Sequence, residues 1–491
     1  MGPNYVQSLE NKTILVTGAS GFLGKVFVER VLRLEPNVKR LYLLVKASDK
    51  KSAEQRLHNE VFEKDLFSVL RKNVGDHESL DALISEKVVP VPGDISLNYM
   101  GVSDSNLLQD MMQEIDVVFN SAATTRFDER YDAALRINTF GALNVLNFVK
   151  KCAKAQVLVH VSTAYVCGEI SGLIHEKPIA MGETLNGKTK VDIYTAMQLV
   201  EQKLKQLGEQ GCSEEETKQA MTDLGFKRAK LYGWSNPYVF AKAMGEMLLG
   251  HYREKLSIVV IRPTIITSTF SDPFPGWIEG FKTIDSVIIL YGKGMLKCFL
   301  NDPKTICDMI PVDMVANAMI ATAAEHFDDS GSHTVYHVSS SYRNPVMYKQ
   351  VYEMMVRYFV ENPLLGRNGI PISPSLTVLS TRARFRLYTS LRFKLPLQIL
   401  GLFSTAFPSK FGDKYEQNNR KFKKAMRMVK IYEPFLLFKG IFDDRNLETL
   451  RIKNEAKGMD KLFGFNTKCI DWEDYFMNTH INGLVTHVLR K

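Results

Sequence analysis

No stretch of eighteen or more apolar residues occurs in this 491-residue chain, so no membrane-spanning helix is expected. Cysteine is scarce: Cys152, Cys167, Cys212, Cys298, Cys307 and Cys469 are scattered and form no CxxC. That spacing argues against a disulfide framework or a zinc site, predicts no bound metal and suits a reducing compartment. No recognised nucleic-acid motif is present, so nucleic acid is not an expected partner. Only about a dozen residues precede the first apolar strand, which on this reading leaves no room for a signal or transit peptide.

The apolar fraction of 45% and the charged fraction of 24% are those of a globular protein. The length suits two or three domains and a large core. Lys and Arg number 63 against 54 Asp and Glu, a formal charge of +9. Such a surplus suits polyanionic small ligands or an anionic membrane surface.

The apolar run Ile14-Leu15-Val16 leads directly into Thr17-Gly18-Ala19-Ser20-Gly21-Phe22-Leu23-Gly24. A strand, a GxxGxxG turn and a following helical pattern describe a dinucleotide-binding turn. Side chains at the glycines would hold the backbone N–H groups away from a pyrophosphate, and the helix N-terminus favours negative charge. Further strands are predicted at 41–45, 88–91, 117–120, 157–161 and 258–261. Apolar runs separated by helices predict an α/β fold, a Rossmann-type doubly wound parallel sheet. A polar helical insertion occupies about 176–230, either a lid or a surface hairpin. After Pro345 the alternation stops, and helices are predicted over 348–360, 377–407 and 422–437. Residues 1–345 therefore read as a Rossmann-type dinucleotide-binding domain and 346–491 as a mainly helical C-terminal domain.

The second strand ends at Lys46, where an NAD site usually carries an acid. A cation there suits the 2′-phosphate of NADP, although Asp49 lies three residues on; a solvated lysine is the alternative. Asp94, followed by Ile95, is placed to accept from an adenine amino group. Asn120, Ala122 and Ala123 end the fourth strand with small residues that let a ribose approach. Tyr238 and Lys242 lie one helical turn apart on one face, and a neighbouring ammonium lowers a phenol's pKa. Thr163, at the end of the fifth strand, can donate to a carbonyl oxygen as charge develops; a hydrogen-bonded turn is the simpler alternative. Arg262-Pro263-Thr264-Ile265 follows the sixth strand, with Pro263 and Ile265 expected at the nicotinamide. Asn138 is placed to hold a water or backbone group near Lys242.

This ordered set resembles the extended short-chain dehydrogenase/reductase superfamily. TGASGFLGKV, PGDIS, INTFGALNVL, HVSTAYV, YVFAKAMGE, IRPTII and PFPGWIEG narrow the match. They look like the plant branch of the alcohol-forming fatty acyl-CoA reductases. Tyr432-Glu433-Pro434-Phe435, 442–446 and 470–475 are similar to that family's C-terminal domain. The resemblance implies four-electron reduction of a long-chain fatty acyl-CoA by NADPH, with CoA released and an aldehyde kept in between. It implies that Thr163 and Tyr238 stabilise the oxyanion, that Tyr238 supplies the proton and that Lys242 lowers its pKa and holds the nicotinamide ribose. It also implies a role in wax, suberin or related lipids, at the cytosolic face of the endoplasmic reticulum or in the cytoplasm. Residues 385–407 suit an acyl tunnel or a surface-lying membrane helix, and a buried helix pair is equally compatible. The competing readings are a two-electron acyl-CoA or aldehyde reductase, a sugar-nucleotide epimerase and a non-catalytic NADP-binding protein.

Overall fold

The computed structural model describes residues 9–280, 283–366, 368–456, 458 and 464–489. Seven parallel strands form its centre: β1 (Thr13–Thr17), β2 (Arg40–Val45), β3 (Val88–Pro92), β4 (Val117–Asn120), β5 (Val157–Val161), β6 (Ser257–Pro263) and β7 (His333–Val338). Their spatial order is β7-β6-β5-β4-β1-β2-β3. The pleat explains the unbroken apolar runs. Ile14 and Val16 enter one core while Leu15 enters the other, and Leu41 and Leu43 alternate with Tyr42 and Leu44 in the same way. Both faces of the sheet are covered, which is why its strands are predominantly apolar. The order reverses between β1 and β4, the crevice where such sheets take ligands.

The sequence reading stops at β6. β7 escapes it because His-Thr-Val-Tyr-His-Val mixes polar with apolar residues and contains no unbroken apolar run.

Helix α1 (Phe22–Leu34) leaves the glycine turn. The insertion folds as α2 (Ile193–Glu209), capped by Asp192, and α3 (Glu214–Tyr232), opened by a Ser213/Glu216 capping box and closed by left-handed Gly233. Val200, Leu207, Met221 and Ala229 from this pair share a core with Phe240 and Met244 of α4 (Pro237–Tyr252). The insertion is thus neither a loose hairpin nor a lid; it backs the helix that carries Tyr238 and Lys242.

Beyond Pro345 the chain stays tied to the sheet. Helix α5 (Tyr348–Glu361) buries Val351, Met354 and Met355 in the core that holds Ile14 and Val16. The expected helix over 377–407 is interrupted. Thr377–Leu379 pairs in parallel with Cys298–Leu300, and the helix begins only after the Thr381 cap. A π-turn at Ser390–Lys394 precedes α6 (Leu395–Ala406), which meets α7 (Pro408–Leu436) in a hairpin. The chain returns at Gly440–Phe442 to pair with Gly172–Ile174. Among the described residues, no helix is long and apolar enough to cross a membrane.

Candidate active site

β1 delivers the chain to Gly18, whose φ of 76° lies in the left-handed region. A Cβ on Gly18 would stand 2.7 Å from the Ala122 nitrogen, and one on Gly24 would stand 2.1 Å from the Gly18 carbonyl oxygen. Turn, helix and β4 therefore interlock only with glycine at both places. Gly21 is the N-cap of α1 and contributes no side-chain cap, which leaves the first helical amides, from Phe22 and Leu23 on, to an anionic ligand. Ser20 lies in the turn between them, and the Phe22 ring stacks on Trp277 at 5.5 Å. These features fit a dinucleotide pyrophosphate.

Thr17 and Asn120 behave differently from the expectation of cofactor contact. Thr17 Oγ1 donates to Asn120 Oδ1 at 2.7 Å and accepts from Ala122 N at 3.2 Å. Their polar groups are committed to joining the ends of β1 and β4, and they shape the crevice rather than line it. That arrangement turns Asn120 Nδ2 onto His160 Nδ1, at 3.0 Å. His160 Nε2 lies 3.4 Å from Lys242 Nζ. Sequence reasoning passed over His160; a histidine inside an otherwise apolar strand was the available signal.

At the ends of β2 and β3, Lys46 pairs with Asp94 at 2.7 Å. Burial raises the Asp94 pKa, but Lys46 and the Ser96 amide outweigh it and hold the group below its ordinary value. Asp49 does not compete for a ribose: it accepts from Ser52 N at 2.8 Å and caps the helix Lys50–Leu57. Arg56, from that helix, donates to the Lys46 carbonyl at 2.8 Å and brings a second cation to this corner. Ile95 is buried, and its carbonyl accepts from Asn144 Nδ2 at 2.9 Å.

Asn236 caps α4 through Val239 N, and Pro237 occupies its first turn. The Tyr238 ring stacks on Phe127 at 5.5 Å. Burial pushes its phenol up to about 12, and a hydrogen bond with Thr163 acts in the opposite direction. The expected direct effect of Lys242 on that phenol is not what the geometry shows. Lys242 Nζ donates to the Val161 carbonyl at 2.6 Å. Burial brings its pKa down to about 8, against the pull of Glu246. Asn138 holds a backbone group, one of the two expected options: its amide clamps both backbone groups of Thr124, at 3.0 and 2.9 Å, just after Ala122 and Ala123. Arg262 donates to Glu246 at 3.1 Å with both side chains buried. It braces β6 against α4, while Pro263 ends the strand and Ile265 opens the short pairing with Met309–Pro311.

The C-terminal region reaches this site. Phe127 stacks on Phe435 at 4.9 Å and meets Tyr432 at 5.4 Å, and Phe435 meets Tyr165 edge-on at 5.1 Å. An aromatic wall from residues 432–442 thus closes one side of Thr163 and Tyr238. An apolar cavity of about 320 Å³ is lined by Ile284, Val287, Phe299, Tyr348, Val351 and Met355 among others, and Asn301 at its edge donates to the Leu436 carbonyl at 3.1 Å.

The NAD-binding family model described as male sterility protein matches residues 16–319, and a second model of the same description matches 392–491. The chain is 58% identical to fatty acyl-CoA reductase 1 of Arabidopsis thaliana across the full length of both. It is 49% identical to the alcohol-forming fatty acyl-CoA reductase of Simmondsia chinensis, over 99% of this chain and 98% of that one. In fold it is similar to the terminal R domain of the myxalamid PKS-NRPS pathway, with a TM-score of 0.55 and 19% identity over 98% of this chain and 92% of that one. The R domain of a Mycobacterium tuberculosis non-ribosomal peptide synthetase gives 0.56 and 17%, over 99% and 93%.

Proposed function

The chain belongs to the fatty acyl-CoA reductases, and from that premise we propose that it reduces long-chain fatty acyl-CoA to the primary alcohol with NADPH, releasing CoA. The observation that carries this reading is the Thr163–Tyr238 pair set at the end of β5 beneath an aromatic wall. A bound nicotinamide nucleotide supplies hydride to the acyl carbon in each of two rounds. The Gly18–Gly24 turn holds its pyrophosphate, Asp94 and Ile95 its adenine side, and Lys46 with Arg56 the 2′-phosphate that distinguishes NADPH. Lys242 positions the nicotinamide ribose.

Thr163 and Tyr238 hydrogen-bond to the thioester oxygen as negative charge grows on it. Tyr238 gives its proton to that oxygen; its raised pKa keeps the proton in place at neutral pH. Collapse of the hemithioacetal breaks the C–S bond and expels CoA as the thiol. The same two hydroxyls then serve the aldehyde oxygen, and Tyr238, reprotonated from solvent between the rounds, again supplies the proton. The aromatic wall keeps water from the aldehyde, and the apolar cavity takes the acyl chain. In this proposal residues 1–345 bind the cofactor, and the cavity that receives the acyl group is lined from both 1–345 and 346–491. A location at the cytosolic face of the endoplasmic reticulum or in the cytoplasm, and a destination in wax or suberin, belong to the same proposal.

The test is product analysis of purified protein with NADPH and an acyl-CoA series. Fatty alcohol from the parent and none from Tyr238→Phe supports the reading; aldehyde as the end product overturns the four-electron part of it.

A further inference from the structure

Helix α6 reads Leu-Pro-Leu-Gln-Ile-Leu-Gly-Leu-Phe-Ser-Thr-Ala, with no charged residue, yet none of its residues is buried. In α7, 29 residues long, only Ile431 and Leu436 near its end are buried. The hairpin therefore stands out from the body. Its inner face is filled by the partner helix, as where Gly401 lies against the Tyr415 ring. The outer face carries Leu387, Leu391, Leu395, Ile399 and Leu402, exposed by 47% to 73%. Their spacing of three and four residues puts them on one stripe. A contiguous apolar stripe of this kind marks a surface meant to be covered.

Charge names what covers it. Residues 382–430 contain thirteen Lys and Arg against Asp413 and Glu416, a net +11. The whole chain carries +9, so everything outside this segment sums to −2. The positive surplus of the protein thus belongs to the segment that carries this exposed apolar stripe. Three of the cations are engaged within the protein: Arg382 pairs with Glu433, Arg427 with Asp128 at 3.1 Å and Arg420 with Glu416 at 2.9 Å. A soluble acidic protein would match the charge but not an aliphatic stripe at the hairpin's end. A second copy would match the stripe but would bring another +11 against the first.

We propose that the α6–α7 hairpin docks on an anionic phospholipid surface, with the α6 stripe seated among the acyl chains and the flanking Lys and Arg among the headgroups. Twelve helical residues reach about 18 Å, short of a bilayer's hydrocarbon core of about 30 Å, so the hairpin enters one leaflet or lies within the interface. The inference rests on exposure and charge and does not depend on the reaction proposed above.

Vesicle flotation of the full chain tests it, with vesicles of phosphatidylcholine alone and of phosphatidylcholine containing phosphatidylserine. The parent should float with the phosphatidylserine vesicles, less with phosphatidylcholine, and less as salt rises. Leu391→Asp with Leu402→Asp should weaken flotation at least about tenfold. Lys421→Glu with Lys424→Glu should remove the preference for phosphatidylserine. Retained NADPH binding shows that each variant is folded. A parent that floats with neither vesicle overturns the proposal, as does a double-Asp variant that floats like the parent. Sedimentation of the parent as a dimer that the double-Asp variant dissolves would place a second copy on the stripe and overturn it too.

Discussion

Lys242 is where burial has a direct kinetic consequence. Its amine is cationic below a pKa of about 8, lowered from 10.5. If the charged form positions the ribose, kcat/KM should fall as pH rises through about 8, far below the limb of an exposed lysine; a pH profile flat to 10 would contradict the role. Tyr238, pushed up to about 12, keeps its proton over that range and contributes no limb. Tyr238→Phe should lower kcat by roughly 10²- to 10⁴-fold, the usual value of a positioned proton donor, with NADPH affinity unchanged by fluorescence titration. His160→Leu takes the acceptor from a buried Asn120 Nδ2 and should lower stability by about 1–3 kcal/mol in denaturant unfolding. At the Asp94 corner, Lys46→Glu with Arg56→Ala should reduce the preference for NADPH over NADH at least about tenfold, each lost ionic hydrogen bond being worth about 1.5–3 kcal/mol.

The glycine turn shows how much of an element a sequence can carry. Strand, turn and α1 are legible because the spacing of Gly18, Gly21 and Gly24 and the apolar run before them have one physical solution. The close approach of Gly24 to the Gly18 carbonyl is fixed by the fold, and Gly24→Ala should abolish cofactor binding at equilibrium even where the sheet survives. Strands β1 to β6 are legible for the same reason, and Thr163, Tyr238 and Lys242 are found together because strand ends and a helical turn place them. What stays hidden is contact between distant segments. His160 and Arg56 carry no motif, and the use of Asn120, Asn138 and Asp49 as struts and caps depends on partners that spacing does not reveal. Helix 377–407 breaks because Thr377–Leu379 finds a strand partner eighty residues earlier in the chain, at Cys298–Leu300.

At the scale of the molecule, position 345 separates two patterns but not two cores. α5 and residues such as Trp472, Tyr475 and Phe476 pack with the β-sheet in one cluster. Tyr475 donates to the Ser268 carbonyl at 2.8 Å, and Asn344 Nδ2 reaches the carbonyls of Thr467 and Ile470, each at 2.8 Å. Residues 1–345 expressed alone should therefore aggregate rather than yield a cofactor-binding fragment, and soluble, NADPH-binding protein from that span would contradict a shared core. Chain-length preference should respond to a residue far from the chemistry: Val351→Phe narrows the apolar cavity and should shift alcohol products toward shorter chains in gas chromatography.

The aromatic wall and the glycine turn come from opposite ends of the chain: Tyr432 and Phe435 on one side, residues 17–24 on the other. The two ligands are therefore held by separate machinery. Under the proposed function, the spent nucleotide is exchanged on the side of the glycine turn while Phe435 and Tyr432 retain the half-reduced chain. Turnover should then be processive, one acyl group passing both rounds in a single residence, and a hydrazine scavenger in the medium should intercept little of the carbonyl until Phe435 is cut back to alanine.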